Sequence, residues 1–198
     1  MKKIRINLFI ICLLGVLAEV CAQESTWREM PYFLKGYEKQ YKKSPKEAAL
    51  SWFKDARFGL FVHWGPASLY GQGEWVMYNN RIPIKEYEQK AREFKGDKFN
   101  AQDYVNLALD ANMKYITFVI KHHDGFALWD SKASDYNSVK YPSGRDFLKE
   151  LSITCKKAGL GLFIYYSVGL DWHHPYYIPN TMYDPARPHY AKTPEEYK

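Results

Sequence analysis

Three features of the sequence predict an α/β protein with a parallel sheet covered by helices. Strand-like apolar runs alternate with amphipathic stretches of helical period. Each run is nearly continuous, as in strands buried on both faces, and each ends in a cluster of histidine, tryptophan, tyrosine or aspartate. An open doubly wound sheet and a (β/α)8 barrel both satisfy the first two features. No strand is followed by a glycine-rich phosphate turn that opens a helix, because Gly71-Gln72-Gly73-Glu74 lies in a long loop without a third glycine. The polar strand ends suit a barrel, where chemistry gathers at the C-terminal ends of the strands.

Along the chain, Ser44-Pro45-Lys46-Glu47 supplies an N-cap, a proline at the first helical position and a capping-box glutamate, so a helix of about three turns follows through Trp52 and Phe53. Phe58–His63 is the first strand, buried on both faces and closed by Gly65-Pro66. A second helix begins at Pro83 with Ile84, Tyr87, Ala91 and Phe94 on one face. A third is capped near Asn100 and turns Tyr104, Leu107, Ala108 and Ala111 inward. The second strand covers residues 115–120. Ser143 or Gly144 then starts a helix that buries Phe147, Leu148, Leu151, Cys155 and Ala158, and Gly159 ends it. Residues 160–167 form the third strand.

The chain has 198 residues, 46% hydrophobic and 17% aromatic, enough for one packed core. Its first residues combine a basic start (Lys2, Lys3, Arg5), an apolar run from Leu8 to Ala18 and a small-residue exit at Val20-Cys21-Ala22. Residues 1–22 therefore read as a signal peptide, with export to the periplasm or medium. The run is too short for a comfortable span of about 20 residues. Ala18-Glu19-Val20 is a poor lipobox, so cleavage before Gln23 is expected in preference to a lipid on Cys21. Cleavage removes Cys12 and Cys21, leaving Cys155 and no intrachain disulfide. It also removes three positive charges and one negative, lowering +6 to +4. The lysines alternate with acids, so no nucleic-acid partner is expected, and no permanent membrane span.

The strand ends carry the candidate site. His63 and Trp64 close the first strand, His122, His123 and Asp124 the second, and Tyr165, Tyr166 and Ser167 the third, ahead of Asp171 and Trp172. Trp64, Trp75, Trp129 and Trp172 suit a sugar, whose C–H faces pack on rings while polar side chains bond the hydroxyls; loop packing is the alternative for Trp75 and Trp129. A metal is the rival chemistry, with His63, His122, His123, Asp124, Asp171, His173 and His174 as ligand types. Adjacent strand residues point to opposite faces, so His122 and His123 reach one ion only where the strand has become a loop. Neither H-x-H nor H-E-x-x-H occurs, so no catalytic metal is expected, and His173-His174 reads as a solvated loop.

The segments "FGLFVHWGPASLYGQGEWVMYNN", "KHHDGFALWDSKASDYNSVKYPSGRDFLKEL" and "GLFIYYSVGLDW" resemble the α-L-fucosidases of glycoside hydrolase family 29, over residues 44–175. The resemblance implies a retaining exo-glycosidase on a (β/α)8 barrel that releases terminal α-L-fucose from glycans without a cofactor. It implies that His63, Glu74, Trp75, His122, His123 and Tyr165 line the fucose pocket, that Trp64 braces His63, and that Asp124-Gly125 is an orienting turn. Val76 stands where some members carry tyrosine.

Retaining hydrolysis needs two carboxyl groups about 5–5.5 Å apart. In this family the nucleophile is an aspartate ending the fourth strand, and the acid/base lies further on. After Trp172 the sequence is rich in proline and tyrosine and cannot form a central strand, until Thr193-Pro194-Glu195-Glu196 begins another helix. The expectation is thus residues 23–43 as a lead-in and 44–198 as an incomplete barrel domain with about three of the eight strands of the fold. Both carboxyl groups would lie beyond Lys198, leaving the 198-residue chain inactive. An inactive remnant or weak sugar binder is the alternative reading, and a metal-dependent hydrolase a further one.

Overall fold

The computed structural model describes residues 29–174; the expected signal peptide and the residue 193–196 helix start lie outside them. Two compact units divide at Leu50/Ser51. The first holds a short 3-10 turn, Tyr32–Leu34, helix α1 (Glu38–Lys43) and the start of α2 (Pro45–Ala56). Ser44 caps α2 as expected, its hydroxyl accepting from the Glu47 N–H at 3.3 Å. Such caps contribute about 1 kcal/mol.

The second unit carries the sheet. Strands β1 (Leu60–Val62), β2 (Tyr115–Lys121) and β3 (Gly161–Tyr166) lie side by side in chain order, all parallel. Between β1 and β2 run a 3-10 turn (Pro66–Tyr70) and helices α3 (Val76–Asn79), α4 (Ile84–Ala91) and α5 (Ala101–Asp110); α6 (Phe147–Ala158) joins β2 to β3. Among the described residues no helix is long and apolar enough to cross a membrane.

The two faces of the sheet differ. Ile116 and Phe118 point towards α5 and α6 and are fully buried in a core with Val105, Ala108, Leu151 and Cys155. On the other face, Phe61 pairs in register with Thr117, and Thr117 with Phe163. Trp52 and Phe53 of α2 pack on Tyr115 and Phe163 at its lower end. Phe61 nevertheless remains 52% exposed, and Phe58, ahead of the strand, 53%. The expected burial of the first strand on both faces therefore fails, because no described element covers that face above Trp52.

One helix start and two burial expectations also differ. Helix α5 buries Ala101, Val105 and Ala108, while Leu107 is 54% exposed and Ala111 is exposed, because the stripe facing the sheet lies one row over from the expected one. Helix α6 starts at Phe147, capped by the Asp146 carboxylate on the Lys149 N–H at 2.8 Å. The Ser143 hydroxyl instead donates to the Ser138 carbonyl, and Arg145 is held by Glu150 and the Gly96 carbonyl. Ala158, at the end of α6, is exposed.

Candidate functional site

All three strands deliver side chains to one rim. His63 follows β1 and stacks on Phe61 with ring centroids 5.0 Å apart. His122 follows β2, 5.7 Å from His63, and Tyr165 near the end of β3 stacks on His122 at 6.1 Å. Glu74 and Trp75 arrive from the β1–α3 connection. Ligand atoms of His63, Glu74 and His122 lie within 4.8 Å of one another. His63, Trp64, Glu74, His122 and Asp124 share the wall of one cavity.

Trp75 and His123 stand beside this cluster, with ring centroids 5.1 Å apart, and Trp75 also meets the His122 ring edge at 6.4 Å. The strand has ended at Lys121, so His122 and His123 are not forced to opposite faces, and their rings sit 4.0 Å apart. Thus the six residues singled out in the sequence gather at one end of the sheet. His63 is exposed, Glu74, Trp75, His122 and Tyr165 are half-buried, and His123 is buried.

The aromatic residues divide by role. Trp64 packs against Phe94, Phe99 and Phe147 and braces the turn after His63. Trp172 is buried beside Trp75 and Tyr78, and Trp129 packs on Tyr166. His173 is not a solvated loop residue: its Nε2 lies 2.6 Å from Glu88 Oε1 and its ring stacks on Tyr136 at 3.9 Å.

Asp124 belongs to the scaffold. Its buried carboxylate accepts from the Tyr87 hydroxyl at 2.7 Å and from the Phe126 N–H at 3.2 Å. Burial raises its pKa, and these two hydrogen bonds oppose the rise. Gly125 makes the turn in left-handed backbone, φ +80°. A second tie holds the β2 and β3 loops together: Lys121 pairs with Asp171 at 2.7 Å, and the Trp172 N–H donates to the His123 carbonyl at 2.6 Å. Lys121 was not singled out in the sequence, although a lysine ending a strand of five apolar residues and a threonine is such a signal.

Burial, aided by the neighbouring His123 and His63 and opposed by Glu74, lowers the His122 pKa to about 4. Its Nδ1 is buried without a hydrogen-bond partner among the described residues. The folded ring therefore stays neutral near pH 7, whereas the unfolded ring takes a proton near pH 6.5. Its contribution to stability is intact above pH 6.5 and is lost as pH falls towards 4. Full conversion of the shift would give about 3 kcal/mol, which solvent around the half-exposed ring reduces to about 1–2 kcal/mol. Urea titrations at pH 7.5 and 4.5 should show the wild type losing that much more stability than His122→Gln. Equal losses would place the ring in open solvent.

The neutral imidazole of His122, the ring of His63, a carboxylate and an aromatic face suit a ligand rich in hydroxyls and C–H surface. His63, Glu74 and His122 are also a donor set that could hold a divalent cation.

The model of the alpha-L-fucosidase family matches residues 26–197. Tissue alpha-L-fucosidase of Macaca fascicularis is 30% identical over 188 residues, 86% of this chain and 38% of the relative. Plasma alpha-L-fucosidase of Rattus norvegicus is 33% identical over 169 residues, 75% of this chain and 37% of the relative. The chain thus spans less than two fifths of these curated relatives. Among solved structures, alpha-L-fucosidase isoenzyme 1 from Paenibacillus thiaminolyticus is 39% identical with a TM-score of 0.63, over 66% of this chain and 31% of that one. AlfC from Lactobacillus casei in complex with alpha-L-fucose product is 40% identical with a TM-score of 0.60, over 63% and 42%.

Proposed function

Because the chain belongs to the alpha-L-fucosidase family, we propose that it forms the sugar-binding wall of a retaining exo-glycosidase that releases terminal α-L-fucose from glycans. The observation that carries this reading is the convergence of His63, Glu74 and His122, from three separate segments, on one cavity at the C-terminal ends of parallel strands. The strands are read as the first three of a (β/α)8 barrel. Neighbours in strict chain order support this, since a doubly wound sheet reverses its strand order at a switch point.

In this reading Glu74 accepts from sugar hydroxyls, the neutral His122 and the exposed His63 bond others, and Trp75 and Tyr165 offer rings to the apolar face of the pyranose. Asp124 faces the same cavity, but its carboxylate is engaged by Tyr87 and Phe126. The two carboxyl groups of hydrolysis are accordingly assigned outside the described residues. Export through residues 1–22 remains part of the proposal, supported by the basic start and the apolar run.

The test is titration of the 198-residue chain with L-fucose, followed by the histidine and tryptophan ring signals in NMR spectra. L-fucose should move the His63, His122 and Trp75 signals, an excess of D-glucose should not, and EDTA should leave the response unchanged. An aryl α-L-fucoside should not be turned over by this chain alone. Absence of any response to L-fucose would sink the reading. A response abolished by EDTA would instead favour a cation held by His63, Glu74 and His122.

A further inference from the structure

Ser167 follows β3 and is buried. Its hydroxyl oxygen lies 2.6 Å from the Leu170 carbonyl oxygen and 2.6 Å from His123 Nδ1. A hydroxyl has one proton to give, and a carbonyl oxygen can only accept. The serine proton therefore goes to Leu170, and the serine oxygen accepts from the histidine. His123 Nδ1 must then carry a hydrogen.

The serine has little freedom to do otherwise. Its N–H donates to the Lys121 carbonyl at 3.0 Å, and its own carbonyl accepts from Lys121 Nζ at 3.3 Å. The His123 carbonyl is likewise fixed by the Trp172 N–H. Ring edges of Trp75 and Trp172, both at centroid distances within 5.3 Å, limit rotation of the imidazole. At pH 7.5, above the ordinary imidazole value of about 6.5, the ring is neutral. In a neutral ring with hydrogen on Nδ1, the lone pair sits on Nε2.

We propose that Ser167 is a positioning residue that fixes His123 as the Nδ1–H tautomer, so that the ring meets its ligand as a hydrogen-bond acceptor through Nε2. The identity of that ligand as a sugar rests on the fucoside reading above. The group facing Nε2 must then be a hydroxyl that donates. An ether, O-methyl or fluoro group at that position has no proton to offer and is rejected, because it leaves the nitrogen lone pair unmatched.

The experiment uses the full chain with 15N-labelled histidine at pH 7.5, reading each tautomer from long-range 1H–15N correlations and assigning His123 through His123→Gln. Wild-type His123 should show the Nδ1–H pattern; an Nε2–H pattern overturns the proposal whatever the variants do. Ser167→Ala should populate the Nε2–H form and weaken L-fucose affinity about 2- to 10-fold, as expected for one hydrogen bond. Ser167→Thr, which keeps the hydroxyl, should restore both readings. An unchanged Nδ1–H signal in Ser167→Ala would overturn the role of the serine. If L-fucose moves the His63 and His122 signals but leaves His123 Nε2 unmoved, the acceptor role fails while the sugar reading stands. If no histidine responds, the sugar reading itself fails.

Discussion

Gly125→Ala is expected to lower stability by about 3 kcal/mol and to loosen the sugar site with it. Two costs add. A non-glycine residue held in left-handed backbone costs roughly 1–2 kcal/mol, and Gly125 has φ +80°. A methyl group there would also stand 2.6 Å from an Asp171 carboxylate oxygen and 2.8 Å from the His173 Cβ, an overlap of the kind that costs about 1–3 kcal/mol. The loop after β3 would have to retreat, and its retreat strains the Lys121–Asp171 pair and the hydrogen bond from Trp172 to the His123 carbonyl. A urea midpoint shifted to match, together with weaker L-fucose binding, is the expected outcome. A variant within 0.5 kcal/mol of wild type, about the size of an ordinary surface change, would mean that the turn is free to relax.

The second large effect is expected at Glu74. It is the only carboxylate among the three groups gathered within 4.8 Å, and the other two are imidazoles. A hydrogen bond to a charged group is worth about 1.5–3 kcal/mol, so Glu74→Ala should weaken L-fucose binding roughly 10- to 100-fold. Glu74→Gln keeps the shape and one acceptor, and should fall between the two. Calorimetric or NMR titration of the three proteins gives the order directly. Equal affinities would remove Glu74 from the sugar contact and leave it as a loop residue ahead of α3.

Much of this was legible in the chain itself. Continuous apolar runs fixed the strands to within about two residues, and Pro45, Asn100 and Gly159 marked helix ends where they were expected. His63, His122, His123 and Tyr165 converge because strand ends of a parallel sheet lie on one side, which periodicity can predict, whereas Glu74 and Trp75 sit in a loop ahead of α3 and were marked as pocket residues only by the family resemblance. What could not be read was which of two adjacent rows of α5 faces the sheet, since Leu107 and Val105 are equally apolar and only packing against α6 decides. Nor could the sequence reveal that Ser143 would give its hydroxyl to Ser138 and cede the cap to Asp146. The pairing of His173 with Glu88 joins residues far apart in the chain, and local pattern carries no signal of such a contact.

The three-residue length of β1 bears on the order in which the site is assembled. Joining Leu60 to Ile116 closes a loop of more than fifty residues, at an entropic cost of about 3.5 kcal/mol, and the return is one short strand with an exposed Phe61. Joining β2 to β3 closes a shorter loop and yields a longer ladder over a buried core. Folding should therefore seat β2 and β3 first, and β1 should be the last strand to dock and the first to lift away. His63 rides on that strand end. Of the three histidines of the site, the exposed one is thus carried by the least cooperative part of the sheet, and the pocket can come apart in a partial opening that leaves the rest of the core folded.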